Sequence, residues 1–107
     1  MTAKEFVELF HTEKNNLLKL YFKKPQTTMA GMEIDSLGLT DEQMEKMRNI
    51  INLILTDTMY TILLGLDGGT SIGGQQQTYE LYDESGNKIS ECGEIEEYAY
   101  EYFQETE

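Results

Sequence analysis

The stretch "LLGLDGGTSIGGQQQ", Leu63 to Gln77, gathers the residue types best able to do chemistry in this chain: an acid among glycines, then three amides. Glycine-rich loops cradle phosphates when their backbone N–H groups converge and a lysine and Mg²⁺ neutralise the charge. That arrangement needs Gly-Lys-Ser/Thr after a strand, and no lysine lies between Lys46 and Lys88. A dinucleotide fingerprint needs G-x-G-x-x-G between strand and helix, whereas here the glycines follow a helical apolar pattern. The glycines are therefore expected to end a helix, at Gly65 or Gly68, and to turn the chain at Gly73-Gly74.

Two acids belong with that stretch, Asp57 before it and Asp67 within it, and both read as structural polar groups. Asp57 has Leu53, Tyr60 and Leu64 around it on one helical face, and a buried carboxylate must be paired, hydrogen-bonded or protonated. Asp57 and Asp67 are expected to tie the turn to the helix; if the helix breaks at Thr56-Asp57-Thr58, Asp57 is an N-cap instead. The alternative is a small-ligand-binding or enzymatic module built on Asp57, Asp67 and the loop 65–77. Asp83 with Glu84, Ser85 and Asn87 lacks the alternating oxygens and terminal Glu of a calcium loop. His11 is the only histidine, and Cys92, the only cysteine, has no basic neighbour and reads as a small, half-buried residue. No catalytic, metal or cofactor-binding residue is assigned, and no enzymatic activity is expected.

The C-terminal segment offers a different chemistry. Glu91, Glu94, Glu96, Glu97, Glu101, Glu105 and Glu107 interleave with Tyr98, Tyr100 and Tyr102. Carboxylates beside aromatic rings suit Arg and Lys side chains, since the ring supplies area and cation–π attraction while the acid supplies charge. The partner-binding candidates are Glu97, Tyr100 and Glu101, with Gln75, Gln76 and Gln77 of the loop; the competing reading is a solvated acidic face. Charge supports a basic partner: residues 1–48 carry eight acids against seven bases, residues 49–107 twelve acids against Lys88 alone. Such a surface repels phosphate backbones and anionic membranes, so direct binding to nucleic acid or membrane is not expected.

The elements that must position these residues follow from periodicity. Thr2-Ala-Lys-Glu5 is a capping box opening a helix over about 3–23, which Pro25 ends. Residues 25–38 read as a connection with little regular structure. Thr40-Asp-Glu-Gln43 opens a second, long helix whose apolar residues cover two faces, placing it at the centre of the core. A strand over 59–66 competes with its last turns. "TYELYDESGNKIS" alternates as a β-hairpin with Gly86 or Asn87 in its loop, and Ile95, Tyr98, Ala99, Tyr102 and Phe103 define a short last helix. The expected fold is α+β in a single domain, 1–107: two N-terminal helices, a β-hairpin and a short C-terminal helix.

The run "DTMYTILLGLDGGTSIGGQQQTYELYDESGN", followed by "GEIEEYAYEYF", resembles a family of small, acidic, uncharacterised bacterial proteins with a Leu-Asp-Gly…Gln-Gln…Tyr-Asp-x-x-Gly-Asn layout. The resemblance implies a cytoplasmic bacterial protein and names no activity. One cysteine and an N-terminus unlike a signal peptide point the same way, and the apolar run Ile50–Leu55 is too short to span a bilayer. In charge and size the chain also resembles the immunity and inhibitor proteins that block basic toxin or nuclease surfaces. The expectation is a non-enzymatic binding or inhibitor protein engaging a basic protein surface, without cofactor and with a homodimer open to it; the third possibility is a purely structural subunit that buries the Met-rich stripe between chains.

Overall fold

A computed structural model describes residues 1–105. It is helical: α1 (Ala3–Lys23), α2 (Met29–Ser36), α3 (Asp41–Leu66) and α4 (Glu94–Tyr100), the last continued by a π-helical turn over Glu101–Glu105. Both capping boxes close reciprocally. Thr2 N–H donates to Glu5 Oε1 at 2.8 Å and Glu5 N–H to Thr2 Oγ1 at 3.1 Å. The Thr40–Gln43 pair repeats this at 3.0 and 3.2 Å. Four orphan N–H groups open every helix, so these bonds fix where α1 and α3 begin. Residues 57–66 are the C-terminal turns of α3, not a strand.

The α+β expectation is wrong: among the described residues there is no strand and no sheet. The hairpin sequence forms its turn without its ladder. Asp83 N–H donates to Asn87 O at 3.0 Å and Ile89 N–H to Leu81 O at 2.7 Å, leaving the single bridge Tyr82–Lys88. A two-stranded ribbon is marginal without a third strand or a packed face. The turn itself is held by Asp83, whose Oδ1 accepts the N–H groups of Ser85 and Asn87 at 3.0 and 2.9 Å. A second difference is α2, where the sequence suggested an irregular connection. Thr28 Oγ1 caps it through Gly31 N–H at 2.9 Å, and Gly31 sits so close to Pro25 that a Cβ would lie 2.6 Å from its carbonyl oxygen.

The chain forms two compact units, Met1–His11 with Asp57–Glu107, and Thr12–Thr56. In the first unit Val7, Leu63 and Ile95 are fully buried, joined by Ala3, Ile89, Ala99 and Phe103. Phe6, Phe10, Met59 and Tyr60 pack around them. Tyr102 Oη donates to Glu8 Oε2, a bond that, with burial, pushes the phenol up to about 12. The second unit buries Leu18, Ile34 and Lys14. Lys14 Nζ donates to Asn52 Oδ1 at 3.0 Å, and burial, then Arg48, holds its ammonium below the usual lysine range.

The central position expected of the second helix is not found. In α3, Ile50, Leu53, Ile54 and Ile62 are exposed, and an 18-residue window with mean hydropathy 1.4 is only 11% buried. Apolar periodicity on two faces calls for neighbours on both sides, and so short a chain supplies them on one. By length and composition alone α3 could cross a membrane, although Asn52, Thr56, Asp57, Thr58 and Thr61 interrupt its apolar run. Cys92 is exposed, not half-buried.

Two measurements follow from this packing. Leu63→Ala leaves a cavity at a site with no exposure and lowers unfolding free energy by about 2–5 kcal/mol in urea titrations, whereas Met29→Ala, at 81% exposure, changes it by less than about 0.5 kcal/mol. The N-terminal ammonium, with the Asn87 N–H, holds the Asp83 carboxyl at about 2 against its ordinary 3.8. A lowered folded-state pKa stabilises above the ordinary value and is lost as pH falls through the folded one. The stability advantage over Asp83→Asn is therefore present above about pH 4, until the N-terminal ammonium, itself held above its ordinary 8.0 by the Asp83 bond, loses its proton, and it is lost as pH falls towards 2.

Candidate functional site

The glycine stretch begins as the end of α3. Gly69 N–H reaches back to Leu64 O at 2.9 Å and Gly68 N–H to Gly65 O at 3.1 Å, a Schellman ending with Gly68 at φ +79°. Of the two glycines expected to end the helix, Gly68 takes the left-handed position. Gly73 and Gly74, at φ +61° and +82°, then make the two-residue turn between Ile72 and Gln75 that only residues tolerant of positive φ can make.

This ending delivers Asp67 to the start of α4. Gly93 precedes that helix and has no side chain to cap it; Asp67 Oδ2, 29 residues away in sequence, accepts the Glu96 N–H at 2.9 Å instead. The same approach lays Gly69 against the Glu96 carboxylate, so that a Cβ at position 69 would lie 2.5 Å from Oε1. Tyr60, on the last turns of α3, is half-buried there. Burial, then the charge of Glu96, then Tyr100, raise its phenol above the ordinary tyrosine value. Glu96, whose N–H bonds to Asp67, and Tyr100 thus both act on the Tyr60 phenol, and these three residues make up a platform.

The residues singled out from sequence fall on or beside this platform. Glu97, Tyr100 and Glu101 are exposed on α4 and the turn that continues it, Tyr100 at 52%. Gln75, Gln76 and Gln77 are exposed on the loop, and Gln76 Nε2 donates to Gly68 O at 2.7 Å, closing the loop onto the helix ending. Asp57 is exposed, so the enclosure expected of it by Leu53, Tyr60 and Leu64 does not form, Leu53 itself being 62% exposed. Glu107 lies outside the described residues. Nothing matches. Comparisons with protein-family models, with curated proteins and with solved structures each find no counterpart for this chain.

Glu96, Tyr60 and Gly69 carry the geometry and were not singled out from sequence. Glu96 is one of several glutamates in a helix's first turn, and nothing local distinguishes it; its distinction comes from a glycine 27 positions earlier. No group of three or more His, Cys, Asp or Glu side chains among the described residues is arranged to hold a metal ion. No basic side chain lies within ion-pair distance of Glu94, Glu96, Glu97 or Glu101 among the described residues, while Lys88 pairs with Glu80 at 3.5 Å. What the platform offers is therefore uncompensated carboxylate charge beside aromatic rings.

Because the atom facing Gly69 is the far end of a flexible side chain, Gly69→Ala is expected to fold while moving the Glu96 carboxylate away. Ultraviolet titration then finds the Tyr60 phenol at lower pH than in the parent, as it does in Glu96→Gln, since each variant removes negative charge that disfavours the phenolate. An unchanged Tyr60 titration in both variants contradicts the arrangement.

Proposed function

We propose that the chain is a small, non-enzymatic binding or inhibitor protein whose first unit engages a basic surface of another protein. The observation that carries this reading is the segregation of charge between the two units. Met1–His11 with Asp57–Glu107 holds fourteen acids against Lys4 and Lys88, while Thr12–Thr56 holds six of each sign. The whole formal charge of −12 thus belongs to one unit. A fold needing only solubility has no reason to concentrate it there, since dispersed charge of smaller magnitude serves as well. Concentrated charge repels itself, and its return is the steering and orientation of an oppositely charged partner.

The Glu96–Tyr60–Tyr100 platform is the anchor of that surface. Exposed Tyr100 supplies a ring face and Glu96 a carboxylate, a combination that accepts an arginine or lysine side chain by cation–π contact and charge pairing. Glu97 and Glu101 extend the negative field around it, and Gln75 and Gln77 offer amides that can donate and accept at its edge. The reading places the protein in a bacterial cytoplasm, in the manner of an immunity protein that covers a basic toxin or nuclease face.

The test is capture from the native host's soluble proteins on the immobilised chain, followed by kinetics on the purified partner. The expected partner has a basic face. Its association rate falls by about tenfold or more between low and high salt, and by a similar factor in Glu97→Lys/Glu101→Lys. Gly69→Ala raises the dissociation rate by displacing the anchor. A partner that binds with salt-independent kinetics and tolerates the charge reversals refutes the proposal.

A further inference from the structure

Helix α3 carries an exposed stripe along its own length, three of its residues in Thr12–Thr56 and the fourth, Asp57, at the first position of the acidic unit's long segment. Lys46, Ile50, Leu53 and Asp57 follow one another along α3 at spacings of four, three and four, and all four are exposed, Ile50 at 45% and Leu53 at 62%. That spacing is a coiled-coil seam: cation, two apolar residues, anion. Neither Lys46 nor Asp57 has an ion-pair partner among the described residues. Two open grooves flank the ridge made by Glu42, Lys46 and Ile50. One, of about 290 Å³, is closed by Leu39, Gln43 and Met47; the other, of about 480 Å³, by Glu45, Asn49 and Leu53. A ridge between two grooves is the surface against which another helix's ridges seat.

We infer that α3 pairs antiparallel with α3 of a second copy of this chain. The stripe is complementary to its own reverse. With Ile50 of each copy opposite Leu53 of the other, Lys46 of each falls opposite Asp57 of the other, so two apolar pairs are closed at both ends by opposite charges. A parallel arrangement stacks Lys46 on Lys46 and Asp57 on Asp57, and like charges in register are destabilising. The charge partition permits the contact. Lys46, Ile50 and Leu53 belong to Thr12–Thr56, which has no net charge to oppose a second copy, and Asp57 of the acidic unit is the residue that the pairing sets opposite Lys46. Exposed Ile54 adds apolar area beside Ile50. A lipid surface would prefer a stripe without fixed charge at both ends, and a basic protein finds no net attraction here.

Sedimentation velocity over a concentration series tests the pairing, with circular dichroism confirming that each variant is helical. The full chain is expected to show a monomer–dimer equilibrium, and Leu53→Glu to remain monomeric. Lys46→Glu and Asp57→Lys each raise the dissociation constant by about tenfold, and the double variant returns to within about threefold of the parent because the charges again match. That rescue keeps the test decisive should Leu53→Glu fail to fold. A chain that is monomeric up to about 100 µM, roughly the weak end of specific association, overturns the inference. So does a double variant no better than either single one, or α3-dependent flotation with phosphatidylcholine vesicles in place of dimerisation.

Discussion

The first unit depends on one constraint: α4 cannot exist by itself. Seven residues lie well below the length at which a helix persists in water, where nucleation costs more than a few turns return. Its order is imported from the rest of the unit. Ile95, Ala99 and Phe103 are buried with Val7 and Leu63, Asp67 satisfies an N–H that Gly93 leaves open, and Tyr102 bonds to Glu8 on α1. Every carboxylate that α4 presents to solvent is therefore placed by contacts made on its other side. The acidic face is as well positioned as the core beneath it.

Local signals were legible where one short motif carries the whole instruction. Thr2 with Glu5 and Thr40 with Gln43 announce two helix starts, and the reciprocal bonds are there because both partners lie within one turn. The turn at Asp83–Asn87 was equally visible, its Asp and Gly being the residues such a turn requires. What failed was the step from turn to sheet. Alternation of Tyr79 and Leu81 against Thr78, Glu80 and Tyr82 describes residues able to extend, but a ladder also needs a face to lie on, and here the backbone makes one bridge. α2 was missed for the opposite reason. Its cap is a lone threonine and its eight residues carry too little periodicity to register.

The candidate site divides along the same line. Charge and aromatic content survive any folding, so the acidic, tyrosine-bearing character of the C-terminal segment could be read from its letters. Which glutamate matters could not, because Glu96 is selected by its approach to Gly69 and Tyr60, residues brought near only once α3 ends in its Schellman turn. Asp57 shows the converse error. A helical wheel reports which residues share a face, and burial depends on whether anything covers that face.

The uneven charge has a colloidal consequence. At neutral pH mutual repulsion between acidic units opposes association beyond the α3 pair, so that exposed Ile62, outside that seam, does no harm in concentrated solution. The carboxylates are thus also a dispersant for an apolar helix elsewhere in the chain. As protons neutralise them near the isoelectric point of about 4.3, that restraint disappears while the exposed side chains remain, so acid lowers solubility.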